Sequence, residues 1–126
     1  MLKVYIADDS NAVRLRLVEQ VSLLNGISLV GQSGDGLTAI ADIENINPDV
    51  VILDIQLPGG GIRLLKQVKA SQHGLQVIVL TAFPYSQYRD KCLEAGADFF
   101  FDKSYEFNRI TDILLELLAE QASALS

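Results

Sequence analysis

The stretch from Asp49 to Pro58 constrains the fold most, because a run of apolar residues leads directly into a carboxylate. Residues 50–53 are β-branched or aliphatic without polar alternation, which is typical of a strand covered on both faces of a parallel sheet. Pro58 and the glycines that follow it end this element. Asp54 therefore stands at the carboxyl end of an interior strand, which is where open α/β sheets bind their ligands.

Four more strand-like segments, at 3–7, 27–32, 77–80 and 99–101, alternate with five helical patterns. This alternation predicts an α/β domain, doubly wound and flavodoxin-like, with a five-stranded parallel sheet in the order 2-1-3-4-5. The strand at 27–32 carries Ser28 and Gly31 among its apolar residues, which suits an edge strand. Pro84 suits the first turn of the fourth helix. The predicted inward residues are Val13, Leu17, Val21 and Leu24 in the first helix, Leu37, Ile40, Ala41 and Ile43 in the second, Ile62, Leu65 and Val68 in the third, Tyr85, Tyr88 and Cys92 in the fourth, and Ile110, Ile113, Leu114, Leu117 and Leu118 in the last.

The length of 126 residues fits a single domain, which we place at residues 1–121 with a C-terminal tail at 122–126. No apolar run approaches the ~18 residues that a membrane span requires, and the N-terminus does not read as a signal peptide. We therefore expect a cytoplasmic protein without membrane insertion. A net charge of −6 disfavours direct binding to nucleic acid, which needs a basic face. Cys92 and His73 are isolated and indicate neither a disulfide nor a zinc site.

Three acids meet at one edge of the predicted sheet. Asp8 and Asp9 follow the first strand, and the predicted strand order brings them beside Asp54. A lone Asp is more often a solvated loop residue, but carboxylates packed together repel one another, and a divalent cation removes that cost. All-oxygen ligation favours Mg²⁺, because this pocket lacks the Cys or His that zinc prefers.

An aspartate beside Mg²⁺ is able to act as a nucleophile toward a phosphoryl group, which gives an acyl phosphate. Thr81 and Lys103, also at strand ends, supply a hydroxyl and a positive charge for the phosphoryl oxygens. Taken singly, Thr81 is equally consistent with a helix cap and Lys103 with a solvated surface lysine. Their convergence with the three acids predicts a phosphoryl-accepting site.

In these features the whole chain resembles a response-regulator receiver domain of two-component signalling, of the single-domain chemotaxis type. The matching features are Asp8-Asp9, Asp54 with Pro58 four residues later, Thr81-Ala82, and Lys103 after an aromatic strand. The resemblance implies a switch and not an enzyme. Such a switch takes a phosphoryl group from a histidine kinase or phosphotransfer protein, assists this transfer and its own slow dephosphorylation, and changes partner binding.

The resemblance also implies a role for each site residue. Asp54 is the phospho-acceptor, Asp9 a direct Mg²⁺ ligand, Asp8 a ligand largely through water, and the Gln56 backbone carbonyl a further ligand. Thr81 and Lys103 contact the phosphoryl group, and Thr81 and Phe100 form the switch. The expected output surface comprises the fourth helix, the last strand and the terminal helix, which bind an unknown downstream protein or a second phosphorylated copy in a homodimer.

The sequence departs from the usual receiver pattern at three places. Receivers usually have a glycine eight residues after the acceptor, but here that position is Ile62. The nearest glycine is Gly61, so the loop after Asp54 is one residue short. Ser104 stands where a cis-proline commonly follows the lysine, and we expect a trans bond or a strained one there. Phe100 has no hydroxyl, so its switching relies on ring packing.

Other classes fit the sequence less well. A phosphatase of the haloacid-dehalogenase type needs a second Asp two residues after the nucleophile, where this chain has Gln56. A dinucleotide-binding domain needs glycines after the first strand, where Asp8-Asp9 would repel a pyrophosphate. Two functional alternatives stay open: a receiver domain of a longer transcriptional regulator, and an interaction module that works without phosphorylation.

Overall fold

The computed structural model describes residues 1–125 as five strands alternating with five helices. The elements are β1 (Leu2–Ala7), α1 (Asn11–Ser22), β2 (Ile27–Ser33), α2 (Gly36–Ile46), β3 (Val50–Leu53), α3 (Ile62–Ser71), β4 (Gln76–Thr81), α4 (Ser86–Glu94), β5 (Phe99–Asp102) and α5 (Arg109–Leu125). The strands form one parallel sheet in the order β2-β1-β3-β4-β5. The predicted doubly wound fold and strand order are therefore confirmed.

Each face of the sheet is covered by its own hydrophobic layer. Side chains such as Val51, Val79 and Phe100 point toward α2, α3 and α4, whereas neighbours such as Ile52 and Leu80 point toward α1 and α5. Every residue of β3 is buried, as the uninterrupted apolar run predicts, while β2 is only partly covered at the sheet edge. This double burial leaves the strand ends as the place where polar side chains can gather.

Three details of the predicted helices are wrong, and the first is Tyr85, which was predicted to point inward from α4 but is 69% exposed. Leu37 is 83% exposed and Ala41 is also exposed, because α2 buries Ala39 and Ile43, four residues apart, instead. Pro84 precedes α4 and does not lie in its first turn, since Tyr85 is the N-cap in extended conformation and the helix starts at Ser86. Asn47, in the left-handed conformation at φ 54°, closes α2.

Helix α5 buries the apolar stripe that its periodicity predicts, with Leu118 half-buried beside it. It continues to Leu125, so residues 122–125, which we assigned to a tail, are helical, and residue 126 lies outside the described residues. Among residues 1–125, none of the helices combines the length and the apolarity needed to cross a membrane.

Candidate functional site at the carboxyl edge of the sheet

The register of β1 against β3 brings the predicted acids together. Ala7 pairs with Leu53, so Asp8 and Asp54 leave neighbouring strands at the same level. The main chain continues this pairing, because the Asp54 N–H donates to the Ala7 carbonyl at 2.8 Å. Asp8 and Asp54 are buried, whereas Asp9 is exposed. Carboxylate oxygens of the three acids lie within 4.8 Å of one another.

Lys103 is the positive charge of this pocket. Its Nζ lies 2.8 Å from Asp8 Oδ2 and 3.0 Å from Asp54 Oδ2. It reaches them because Thr81 pairs with Asp102 in the β4–β5 register and the Lys103 N–H donates to the Thr81 carbonyl at 2.9 Å. The lysine thus links the ends of three strands, where its ammonium compensates part of the carboxylate repulsion.

The ion pairs and burial shift the ionisation of both partners. Burial, reinforced by the charge of Asp8, raises the pKa of Asp54, although the Gln56 N–H and Lys103 oppose this shift. Burial alone would lower the pKa of Lys103, but its hydrogen bonds to Asp8 and Asp54 raise it overall. The pocket therefore keeps its lysine charged and holds an acceptor carboxylate whose ionised form is costly.

The acids fit a hard divalent cation by chemistry and by charge. Three carboxylates and one ammonium leave a formal charge of −2, which a Mg²⁺ ion would balance, and every donor is an oxygen. Both oxygens of Asp8 are already engaged, Oδ1 by the Ser10 N–H at 2.9 Å and Oδ2 by Lys103. Asp9 accepts no hydrogen bond from the described residues. Its carboxylate is thus the one available for direct ligation.

Gln56 sits directly beside the acceptor. Its N–H donates to Asp54 Oδ1 at 2.9 Å and so orients the carboxylate. Its side chain is exposed and donates through Nε2 to the Tyr88 hydroxyl of α4 at 3.1 Å. This side-chain contact joins the acceptor loop to α4.

Thr81 and Phe100 occupy neighbouring strands, as predicted. The Thr81 side chain is fully buried, and its Oγ1 accepts a hydrogen bond from the Phe83 N–H at 3.0 Å. Phe100 is 7% exposed and belongs to the core layer that also contains Val79 and Cys92. The ring therefore already occupies an inward position in this structure.

The loops after Asp54 and Lys103 lack the glycine and the cis-proline that receivers usually have there, and hydrogen bonds of the main chain shape both loops. Gly61, at φ 89°, is the N-cap of α3 and donates to the Ile55 carbonyl at 2.7 Å, which closes the short loop. No cis peptide bond occurs in residues 1–125, so the Lys103–Ser104 bond is trans. The chain turns there because the Ser104 N–H donates to Asp102 Oδ1 at 2.7 Å.

Sequence reasoning missed two side chains at this pocket. Arg14, from the first turns of α1, donates to the main-chain carbonyl of Asp8 and to Asn11 Oδ1. Tyr88 was predicted only as an inward residue of α4, but its hydroxyl contacts Gln56. Arg14 lies one helical turn after Asn11, a spacing that signals their side-chain contact but not the contact of Arg14 with the Asp8 carbonyl. No local pattern signals the Tyr88 contact.

Comparison with known proteins agrees with this geometry. The family model of the response regulator receiver domain matches residues 4–115. The chain belongs to the receiver-domain family. Receivers of this family are phospho-acceptor switches of two-component response regulators that interact with histidine kinases or phosphotransfer proteins, and they generally bind Mg²⁺ at an acidic pocket.

Two relatives and one solved structure illustrate the likeness. The receiver is 31% identical to sporulation initiation phosphotransferase F of Bacillus subtilis over 117 residues, 92% of this chain and 93% of that protein. It is 26% identical to the response regulator GacA of Pseudomonas aeruginosa over 122 residues. This match spans 96% of this chain but only 57% of GacA. The response regulator domain of Thermotoga maritima CheB superposes with a TM-score of 0.81 at 26% identity, covering 95% of each chain.

Proposed function

We propose that Asp54 accepts a phosphoryl group from a histidine kinase or phosphotransfer protein and that Mg²⁺ supports this transfer. The observation that carries the proposal is that Lys103 Nζ lies 2.8 Å from Asp8 Oδ2 and 3.0 Å from Asp54 Oδ2 at one edge of the sheet. These are a nucleophile, a metal-binding acid and a phosphate-binding cation, which are the parts that phosphoryl transfer requires.

The chain's own residues perform defined tasks in this transfer. Asp54 attacks the phosphorus through a carboxylate oxygen, and the phosphorus–nitrogen bond of the donor phosphohistidine breaks, leaving its electron pair on the imidazole. The Gln56 N–H holds the attacking carboxylate in orientation. Lys103 shifts from the Asp54 carboxylate to the phosphoryl oxygens, and Thr81 donates its hydroxyl to them.

Asp9, Asp8, Asp54 and the Gln56 carbonyl are the groups that would hold Mg²⁺. The ion supplies positive charge against the incoming dianion when bound. In the same site, hydrolysis of the acyl phosphate gives the slow autodephosphorylation that resets the switch.

Intact-mass measurement after incubation with acetyl phosphate and Mg²⁺ tests the proposal. We expect the wild type to gain one phosphoryl group, and Asp54→Asn to gain none. Asp112→Asn makes the same chemical change at an exposed position of α5 and serves as the matched control, which should be phosphorylated normally. A mass gain that persists in EDTA or in Asp54→Asn would remove the proposal.

We further propose that output passes through the surface of α4, β5 and α5 to a downstream protein or to a second phosphorylated copy. Phe83 and Tyr85, before α4, are 47% and 69% exposed, with ring centroids 6.5 Å apart. An exposed aromatic pair next to Thr81 favours partner contact at this end of the surface. The cytoplasmic location expected from the sequence stays a prediction.

A second candidate is a receiver that forms part of a longer regulator. It is favoured because the chain spans 57% of P. aeruginosa GacA, about half the length of such curated relatives. The unedited open reading frame around this sequence tests it, since a DNA-binding domain encoded downstream in frame would establish the longer protein.

A further inference from the structure

The hydroxyl of Tyr88 is linked to the acceptor Asp54 through Gln56. It accepts the hydrogen bond from Gln56 Nε2 at 3.1 Å, and the Gln56 N–H in turn binds Asp54 Oδ1 at 2.9 Å. One residue therefore separates the Tyr88 hydroxyl from the acceptor carboxylate in this chain of contacts.

The Tyr88 ring is held in place by packing. It is half-buried and packs against the core layer that contains Cys92 and Phe100. Because its oxygen accepts the Gln56 bond, its own proton is available for donation, and no described residue accepts that proton. Tyr88 is thus a hydrogen-bond donor without an acceptor among residues 1–125, and Gln56 links it to a group that gains strong acceptor oxygens on phosphorylation.

We propose that the Tyr88 hydroxyl donates a hydrogen bond to the phosphoryl group on Asp54, as a third protein donor beside Lys103 and Thr81. Gln56 positions the hydroxyl for this contact. The inference rests on the proposed function, since it concerns the phosphorylated state of the same site. It makes Tyr88 a phosphoryl-binding residue supplied by α4, an element that the other donors do not belong to.

Fluorine NMR of beryllofluoride, which mimics the acyl phosphate without a covalent bond, tests the contact. Wild type, Tyr88→Phe and Tyr105→Phe are titrated in the presence of Mg²⁺. We expect Tyr88→Phe to weaken beryllofluoride binding about three- to tenfold, the loss of one partly solvated hydrogen bond to a charged group. One bound fluorine resonance should also shift, because its donor is gone. Tyr105 is 90% exposed, and its loss of the same hydroxyl should change neither quantity.

Gln56→Met separates direct donation from a purely structural role. This side chain keeps the length of Gln56 but cannot hold the Tyr88 hydroxyl, so we expect a smaller loss of affinity and a reduced further effect of Tyr88→Phe. Equal affinity and unchanged fluorine shifts in Tyr88→Phe would overturn the inference while leaving the proposed function intact. A wild type that binds no beryllofluoride with Mg²⁺ would instead overturn the proposed function, and the inference with it.

Discussion

Asp9 and Asp8 are adjacent acids with different surroundings, and their roles should differ accordingly. The two carboxylate oxygens of Asp8 contact Lys103 and the Ser10 N–H, whereas the exposed Asp9 makes neither contact. We predict that Asp9→Ala weakens Mg²⁺ binding by more than about tenfold, or ~1.4 kcal/mol, and that Asp8→Ala weakens it less. Isothermal titration with Mg²⁺ measures both, and equal losses would contradict the assignment of Asp9 as the direct ligand.

Asp54 is predicted to reduce the stability of the unphosphorylated fold. Burial raises its pKa, so the folded state holds the Asp54 proton more tightly than the unfolded state does. Stability contributed by this group is present below the unfolded carboxyl pKa and is lost as pH rises through the higher folded value. We expect Asp54→Asn to be more stable than wild type at neutral pH, with a gain that shrinks as the pH falls toward the ordinary carboxyl pKa.

Urea unfolding across this pH range measures the effect. Asp90→Asn, the same change at an exposed position of α4, is the control and should show no comparable gain. A stability difference for Asp54→Asn that is independent of pH would show that ionisation of this carboxyl is not its cause.

Among the elements, the start of α2 depends on a glycine that no periodicity identifies. The Gly36 N–H donates to the Pro58 carbonyl at 2.7 Å, and a Cβ at this position would lie 2.4 Å from the Gly59 carbonyl oxygen. We predict that Gly36→Ala lowers the free energy of unfolding by about 1–3 kcal/mol, because the clash exceeds the usual helical gain from alanine.

Chemical denaturation compares Gly36→Ala with Leu37→Ala. Leu37 is 83% exposed on the same helix, so its truncation should change stability by less than about 0.5 kcal/mol. If Gly36→Ala has the same free energy of unfolding as the wild type, the loop after Asp54 moves away from the new Cβ without cost.

The strands were predictable from sequence because double burial leaves an unbroken apolar run, as in Val50–Leu53. The acids followed from the same reasoning, since each of them comes directly after a strand. The inward face of α2 was only partly predicted: Ile40 and Ile43 contact the core as expected, whereas Leu37 lies outside the stripe that buries Ala39 and Ile43. The Gln56–Tyr88 contact was also beyond prediction, since it joins polar side chains 32 residues apart that belong to no period.

For the whole molecule, Thr81 is the predicted link between Asp54 and the output surface. Its hydroxyl now accepts the Phe83 N–H, so turning toward a phosphoryl group would release the segment that leads into α4. We predict that beryllofluoride changes hydrogen exchange across residues 84–103 in the wild type and that Thr81→Ala confines the changes to the loops around Asp54. Thr81→Ser keeps the hydroxyl and should transmit them. Undiminished transmission in Thr81→Ala would contradict this link.

The position of Phe100 bears on what kind of change phosphorylation should cause near α4. Its ring is already buried in the core layer beneath α4, so activation in this chain needs little rotation of Phe100 itself. The response is therefore expected mainly as a change in the population of open and closed α4 arrangements.

The single cysteine gives direct access to that population. Cys92 is fully buried on the inward side of α4, and burial raises the pKa of its thiol to about 11, so the folded protein protects it from alkylation. A thiol reagent can modify Cys92 only when α4 lifts from the sheet, which makes the labelling rate of the native protein a measure of the free energy of that opening. If beryllofluoride shifts α4, the same unmodified chain will report it as a changed labelling rate, without an introduced probe.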